Sequence, residues 1–252
     1  MTEDVWAHTG DSDLLAIQVA TLFVLTDSGR IQLENDPDRS SGPRMYLAQC
    51  ASGNIVRIRH DVGEETARAI DALVADELPL RDPDSRPRHV DDYVELLGAE
   101  APVEQRSAGL IYCFPNHLEY EHDVMLVSSD TPDGDRLYAR LADQGMPQAL
   151  VQLGFAAAVD IWAPWCIALH EGEIASIGMT ARIGPTGAEA GVITIPALRG
   201  RGFAAAATAG WAWLPSLYGR ALFYSTDRTN EASKRVADRL GLRLIGASLR
   251  LT

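Results

Sequence analysis

The chain has 252 residues, of which 46% are hydrophobic and 23% charged, an ordinary composition for one large or two small folded domains. This composition excludes a disordered chain, a collagen and a small disulfide-stapled protein. Lys and Arg total 22 against 35 Asp and Glu, which gives a formal net charge of -13. Because this charge repels nucleic acids and anionic membranes, we expect neither as a partner.

The three cysteines, Cys50, Cys113 and Cys166, form no C-x-x-C pair and are too scattered for a disulfide framework. We therefore expect a reducing, cytoplasmic location. An apolar run from Leu14 to Leu25 is too short to span a bilayer, and acidic residues precede it instead of the basic segment of a secretion signal. We expect this run to form a buried strand.

Residues 1–104 alternate strand-like and helix-like segments, and we interpret them as an additional N-terminal α/β region that ends near Glu104. A four-stranded meander is expected first, because apolar runs separated by turn residues occur at 14–25, 31–33, 45–49 and 55–58. Apolar residues at helical spacing then predict two amphipathic helices, around 70–78 and 90–97.

Residues 105–252 show a clearer pattern, and we interpret them as a second domain. The alternation of apolar residues predicts strands at 109–114, 166–169, 174–181, 189–195, 221–225 and 243–251. Helices are predicted at 136–141 and 231–240, and a third opens within the segment 197–204 and extends to 214.

The segment Arg199-Gly200-Arg201-Gly202-Phe203-Ala204 lies between a predicted strand and a predicted helix. The first N–H groups of a helix have no partner within it, and Gly200 and Gly202 let an anion approach them closely. Arg199 and Arg201 add positive charge to the same place. The segment is therefore typical of a phosphate-binding loop, and the alternative is a solvated basic turn that merely caps the helix.

Two motifs in this part resemble those of the GNAT superfamily of N-acetyltransferases. The segment 199–204 is similar to its Q/R-x-x-G-x-G/A loop, and Asn230-Glu231-Ala232-Ser233 through Leu240-Gly241-Leu242 resembles its N-x-A-S helix closed by L-G-F/L. The resemblance covers residues 105–252, and its specific part is 164–252. It implies an α/β fold with a mixed sheet flanked by helices, and an acyl-CoA transferase that binds acetyl-CoA.

The resemblance also implies where acetyl-CoA binds. The strand ending at Ile195 and the strand at 221–225 would separate, and the donor would lie in the gap with its pyrophosphate on the N–H groups of residues 201–204. Exposed backbone at 193–195 would pair with the pantetheine arm, and Asn230 would face this arm or serve only as a helix cap. The expected donor-binding residues are Ile193, Thr194, Ile195, Arg199, Gly200, Arg201, Gly202, Phe203, Ala204 and Asn230.

Glu189 is the candidate catalytic base. Strict alternation along the predicted strand puts it on one face with Gly191, Ile193 and Ile195, and a carboxylate among apolar or absent side chains needs a partner or a function. Its position before the loop resembles that of a catalytic glutamate in many GNAT proteins. In the alternative interpretation Glu189 reaches solvent or pairs with Arg182.

The sequence departs from the GNAT pattern at the general acid. Many members carry a tyrosine seven residues after the helix asparagine, and here that position is Ala237. Ser233 on the same predicted helix and Tyr224 on the preceding strand are possible substitutes, although Tyr224 also fits core packing. Otherwise water or the amine's own proton would neutralise the thiolate.

Two other groups of residues predict no site. Cys166 and His170 would be about 13 Å apart on a strand, too far for a nucleophile and its base. The cluster of His117, His122 and neighbouring carboxylates has no metal-ligand spacing, so we expect no metal and interpret it as a solvent-facing or substrate-facing acidic loop.

These observations predict a CoA-dependent N-acyltransferase that transfers acetyl from acetyl-CoA to an amine of a small molecule, as a monomer or homodimer. Ala190 and Gly191 would also permit a longer acyl-CoA or an acyl carrier protein as donor, and Ala237 suggests a non-catalytic acyl-CoA sensor. Residues 1–104 would shape the acceptor pocket, form a GNAT-like half without its loop, or provide an oligomerisation platform.

Overall fold

The described part of the chain is Trp6 and residues 9–252 of a computed structural model. Its helices are α1 (Asp11–Leu22), α2 (Glu64–Ala75), α3 (Val90–Gly98), α4 (Pro132–Gln144), α5 (Gln148–Val151), α6 (Phe203–Ala212) and α7 (Glu231–Arg239). None of these helices is long and apolar enough to cross a bilayer. The strands are β1 (Phe23–Leu25), β2 (Ile31–Glu34), β3 (Met45–Cys50), β4 (Gly53–Ile58), β5 (Arg106–Cys113), β6 (Met125–Ser128), β7 (Trp165–His170), β8 (Glu173–Ile183), β9 (Gly187–Thr194), β10 (Ala221–Asp227) and β11 (Arg243–Leu251).

Strands β3 to β11 form one sheet in the order β4-β3-β11-β5-β10-β9-β8-β7-β6, and β1 and β2 form a separate hairpin. Strands β9 and β10 are parallel, and the other neighbours in the large sheet are antiparallel. The predicted α/β fold with a mixed sheet flanked by helices is therefore confirmed.

The predicted strand at 14–25 is wrong, because most of this run is α1 and only Phe23–Leu25 is a strand. An apolar run without periodicity does not distinguish a buried helix from a buried strand. The structure buries Leu14, Leu15, Gln18, Val19 and Leu22, which recur along one helical stripe. The four-stranded meander is also wrong, since β1 and β2 pair apart from β3 and β4.

The N-terminal region joins the same sheet as the rest of the chain. Strand β3 pairs with β11, and β4 extends the sheet beyond β3. Strand β5 lies between β10 and β11 and pairs with both. The predicted boundary near Glu104 falls between α3 and β5, and hydrogen bonds of the large sheet connect the regions on either side of it.

Helices α1 and α6 cover opposite faces of the sheet. Phe223 and Tyr224 are neighbours on β10 and therefore point to opposite faces. Phe223 packs in one apolar cluster with Leu14 and Leu15 of α1, whereas Tyr224 packs in another with Ala205 of α6. Each face of β9 and β10 is thus covered by a helix from a different part of the chain.

Gly178 allows α6 to lie close against the sheet. A Cβ atom at this position of β8 would lie 2.6 Å from the carbonyl oxygen of Ala207 in α6. Any larger side chain would push the helix outward, and the N-terminus of α6 would move with it.

Strands β9 and β10 pair over only part of their length. Their parallel register joins Gly187–Ala190 to Ala221–Tyr224 and ends there. Beyond this point β9 continues to pair with β8, and β10 continues to pair with β5. The two strands therefore separate, and each leaves an unpaired edge facing the opening.

Candidate active site

A cavity of about 860 Å³ occupies the opening on the side of α6 and α7. It is bordered by the free part of β9, the loop before α6 and one side of α7. The predicted residues that line it are Ile193, Thr194, Arg199, Gly200, Gly202, Phe203, Ala204, Asn230 and Ser233. We call this space the donor cavity.

The loop before α6 presents free N–H groups to the donor cavity. Gly200 and Gly202 have φ values of 77° and 91°, a backbone region that favours glycine. Gly202 is the N-cap of α6, and no side chain makes a capping hydrogen bond there. The first turn of this helix therefore offers its N–H groups and its positive dipole end to an anion.

The arginines at the donor cavity differ in part from those expected. Arg199 lines it, but the side chain of Arg201 turns to His170, where Nη2 donates to Nε2 at 3.2 Å, and lies 5.4 Å from the centre of the Phe203 ring. Arg235 and Arg239 of α7 line the cavity instead. Their i, i+4 spacing after Asn230 was a readable signal that both share one helix face.

Asn230 caps α7, as one of the two interpretations expected, and it also borders the donor cavity. Its Oδ1 accepts a hydrogen bond from the backbone N–H of Ser233 at 3.1 Å. Because this cap fixes the first turn of α7, it also places Ser233 at the cavity wall.

Tyr224 lies beside Ser233 in the buried cluster that also contains Tyr112 and Ala237. Its hydroxyl has no hydrogen-bond partner among the described residues. Burial raises the pKa of the phenol, and the nearby Ser233 hydroxyl partly opposes this effect. The phenol therefore keeps its proton at neutral pH, and it belongs to the same buried cluster as Ala237.

Glu189 lies on the other face of the sheet, on the side of α1. Its side chain is buried, with a relative exposure of 7%. Burial raises the pKa of the carboxyl group, while the Ser225 hydroxyl, Arg182 and Gln18 oppose this effect. The expected alternation is therefore found, and Glu189 does not reach solvent freely.

A second cavity of about 250 Å³ borders Glu189, and we call it the acceptor cavity. It lies on the α1 side of the sheet, where β9 and β10 separate. Its walls come from α1, β3, β5, β8, β10 and β11, through Leu22, Tyr46, Ser107, Ala108, Gly109, Arg182, Ser225, Thr226, Asp227, Ser248 and Arg250. Sequence reasoning did not find this cavity, because its walls come from segments spread over most of the chain.

The two arginines of the acceptor cavity already have carboxylate partners. Arg182 lies 3.1 Å from Glu34 and 3.9 Å from Asp36, and Arg250 contacts the other oxygen of Glu34. The side chains of Glu34 and Asp36 are almost fully buried, so these ion pairs are screened little by solvent. Glu34 and Asp36, which do not line the cavity themselves, thus neutralise the charges of both arginines.

Glu189 and Asp227 are the acidic residues of the acceptor cavity wall. Hydrogen bonds from the side chain and backbone N–H of Thr229 lower the pKa of Asp227. Asp227 is exposed and stays ionised at neutral pH. With the arginines paired, the cavity wall carries an excess of negative charge that favours a cation.

Cys166 and His170 do not form a nucleophile and its base. Burial raises the pKa of the Cys166 thiol to about 12, so this sulfur stays protonated. His170 is held by Arg201. Within Trp6 and residues 9–252, no group of three or more His, Cys, Asp or Glu side chains could hold a metal ion.

Residues 121–243 match the family model of the acetyltransferase (GNAT) domain. This stretch includes the donor cavity, Glu189 and both motifs noted in the sequence. These residues therefore form an acyl-CoA-dependent acetyltransferase domain of the GNAT superfamily.

Several solved structures are similar to the chain. A GCN5-related N-acetyltransferase from Kribbella flavida is 14% identical, with 97% of this chain and 96% of that chain covered and a TM-score of 0.47. An acetyltransferase of the GNAT family from Colwellia psychrerythraea is 13% identical, with coverages of 96% and 97% and a TM-score of 0.43. A tandem GNAT protein from the clavulanic acid biosynthesis pathway is 12% identical, with coverages of 96% and 97% and a TM-score of 0.45. Among curated proteins, none matches the chain.

Proposed function

We propose that the protein transfers the acetyl group of acetyl-CoA to the amine of a small cationic molecule. The observation that carries this proposal is the buried carboxylate of Glu189 at the point where β9 and β10 separate. The donor cavity borders this opening from one face of the sheet, and the acceptor cavity borders it from the other. A thioester and an amine could therefore meet through the opening.

The donor cavity offers groups that match two parts of acetyl-CoA, the pyrophosphate and the pantetheine arm. The N–H groups at the start of α6 would bind the pyrophosphate, and Arg199 and Arg239 would add charge. The free edge of β9 at 191–194 would pair with the amides of the pantetheine arm, since its other edge is used by β8. The thioester would then lie toward Ala190, where the pairing of β9 with β10 ends.

Glu189 would act as the general base. Its raised pKa makes it a better proton acceptor than an exposed glutamate, and burial keeps bulk water from competing. The carboxylate would take a proton from the bound ammonium group, and the neutral amine formed in this way would attack the thioester carbonyl. The C–S bond then breaks, the acetyl group stays on nitrogen, and the CoA thiolate leaves.

Ser233 or Tyr224 would supply the proton that the thiolate needs. Ser233 lines the donor cavity, and the Tyr224 phenol lies next to it with its proton retained. A hydroxyl pair of this kind could pass a proton to sulfur without a tyrosine at position 237. The amide product and the CoA thiol together carry all the atoms of the two substrates except one proton of the ammonium group, which Glu189 would pass to solvent.

The charges of the acceptor cavity support a cationic amine as the acceptor. Arg182 and Arg250 are neutralised by Glu34 and Asp36, and Asp227 remains ionised beside Glu189. An ammonium group would gain from this excess of negative charge, whereas a carboxylate would have to compete with Glu34 for the arginines. We therefore expect amines without a carboxylate, including diamines, to be better acceptors than amino acids.

Three arginines at the donor cavity favour CoA over a carrier protein. Coenzyme A carries a pyrophosphate and a 3′-phosphate, whereas the prosthetic group of an acyl carrier protein carries a single phosphate. Arg199, Arg235 and Arg239 all line the cavity and match the larger charge. A carrier-protein donor would leave part of this positive charge without a partner.

The test is thiol release from acetyl-CoA in the presence of a panel of diamines, amino sugars, monoamines and amino acids. We expect release with at least one cationic amine and the weakest activity with amino acids. If acetyl-CoA binds in calorimetry but no panel member gives thiol release, the transferase assignment is contradicted and the sensor alternative is favoured. A carrier-protein thioester that outperforms acetyl-CoA would contradict the choice of donor.

A further inference from the structure

Gln18 is a buried polar residue in an otherwise apolar stripe of α1. Its side chain is fully buried, and its stripe neighbours Leu14, Leu15 and Val19 pack into the apolar cluster beneath the helix. A buried primary amide loses free energy unless its donors and acceptor are hydrogen-bonded. The partners that Gln18 has therefore explain why an amide occupies this position.

Gln18 connects Tyr46 of β3 to Glu189 of β9. The hydroxyl of Tyr46 donates to Oε1 of Gln18 at 3.4 Å, and Nε2 of Gln18 donates to Oε2 of Glu189 at 3.2 Å. Burial keeps the Tyr46 phenol protonated by raising its pKa far above the ordinary value. Because the phenol can only meet the amide oxygen as a donor, the amide nitrogen is turned toward the carboxylate.

We propose that Gln18 is a positioning residue for the catalytic base, so that the N-terminal region completes the active site. This inference rests on the proposed function of Glu189. The amide would fix the direction of the carboxylate, and the phenol of Tyr46 would fix the amide. Residues 1–104 would then contribute to the chemistry through α1 and β3, in addition to forming walls of the acceptor cavity.

The hydrogen bond from Gln18 also has an electrostatic consequence. An N–H donor stabilises the ionised carboxylate and so opposes the effect of burial on its pKa. The other polar and charged groups around Glu189 belong to different elements, and among them only Tyr46 would lose a hydrogen-bond partner in a substitution at position 18. They are Tyr46 on β3, Arg182 on β8, Ser225 and Asp227 on β10, Arg250 on β11, and Glu34 and Asp36 behind the two arginines.

The first test is the pH dependence of kcat/KM in Gln18→Leu, which removes the donor while keeping the volume. The acidic limb should move upward by about one pH unit, because a carboxylate without this donor is protonated more easily. Tyr46→Phe should shift the limb in the same direction by less. The KM for acetyl-CoA should not change, since Gln18 lies on the acceptor side of the sheet.

Thr21→Val is the matched control. Thr21 is buried on the same helix, and its hydroxyl donates to the backbone oxygen of Ile17 four residues earlier. The control should leave the acidic limb in place even if it lowers stability. A Gln18→Leu profile that coincides with the wild-type profile would overturn the proposal and leave Gln18 a purely structural role.

A second measurement does not depend on turnover. The pKa of the Glu189 carboxyl can be followed by carbon NMR, with its signal assigned by its loss in Glu189→Gln. We expect a higher pKa in Gln18→Leu and Tyr46→Phe than in the wild type or Thr21→Val. Equal values would overturn the proposal, whereas a higher value in a protein that acetylates no amine would uphold the positioning role and contradict the proposed function alone.

Discussion

The donor and acceptor cavities lie on opposite faces of one sheet, and they are built in different ways. The residues that line the donor cavity all lie between positions 192 and 239, and most of these lining residues belong to the two motifs at 199–204 and 230–242. The acceptor cavity draws its walls from residues as far apart as Leu22 and Arg250. Under the proposed function, donor binding is therefore encoded locally, whereas acceptor choice depends on how distant segments come together.

The two cavities also differ in charge. Arg199, Arg235 and Arg239 line the donor cavity, whereas the arginines of the acceptor cavity are neutralised by Glu34 and Asp36. A protein with a net charge of -13 can thus hold a polyanion at one site and attract a cation at the other. A substitution in one cavity should therefore change the affinity for one substrate and leave the affinity for the other largely unchanged.

Gly202→Glu should have the largest effect, a loss of acetyl-CoA affinity of more than about 100-fold in calorimetry. The substitution places a negative charge at the N-cap of α6 and a side chain where Cβ would lie 3.2 Å from Nη1 of Arg239. Gly219→Glu is the control, because Gly219 also has positive φ but has open space around it. Unchanged affinity in Gly202→Glu would contradict the phosphate-binding role of the loop.

Glu189→Gln should lower kcat by about 100-fold or more while leaving acetyl-CoA affinity unchanged. In the wild type, burial raises the pKa of Glu189, so activity should rise with pH through a value above the ordinary glutamate range. The variant should lose this acidic limb, and Glu173→Gln, an exposed change on β8, should keep it. If Glu189→Gln keeps both the wild-type kcat and the fall in activity at low pH, Glu189 is not the base.

Arg235→Gln and Arg239→Gln should each weaken acetyl-CoA binding by about tenfold, with a smaller effect at high salt. Both side chains line the donor cavity, whereas that of Arg201 does not. Arg201→Gln is therefore the matched control, and it should change the affinity less than either α7 variant. A larger loss in Arg201→Gln would mean that its side chain turns back toward the donor.

Asp227→Asn should have the smallest effect, a rise of about threefold in KM for a diamine. Asp227 is exposed at the edge of the acceptor cavity, so solvent screens its attraction for an ammonium group. The KM for acetyl-CoA should be unchanged. An equal effect on a neutral or carboxylated acceptor would show that charge at Asp227 does not select cations.

The sequence predicted the features that depend on neighbouring residues. The glycines of the loop, the cap at Asn230 and the face occupied by Glu189 follow from local backbone rules and from alternation along a strand. Arg201 could not be placed in this way, because its direction depends on His170, which lies 31 positions earlier in the chain. The contact of Gln18 with Glu189 spans 171 positions and required the fold itself.

The segment at 14–25 shows why the acceptor side was harder to predict. Its apolar run has no period that distinguishes helix from strand, so the buried position of Gln18 on α1 could not be read. Arg235 and Arg239 could have been found, since i, i+4 cations after a predicted cap lie on one helix face. The walls of the acceptor cavity carry no motif, because single residues from many elements form them.

The position of β5 between β10 and β11 has a consequence for how the chain folds. Strand β11 pairs with β5 on one side and with β3, about 200 positions earlier, on the other. Contacts over such separations close large loops and slow folding. During synthesis the sheet can be completed only after residues 243–251 have left the ribosome, so until then β3 and β5 present unpaired edges that a chaperone would have to protect.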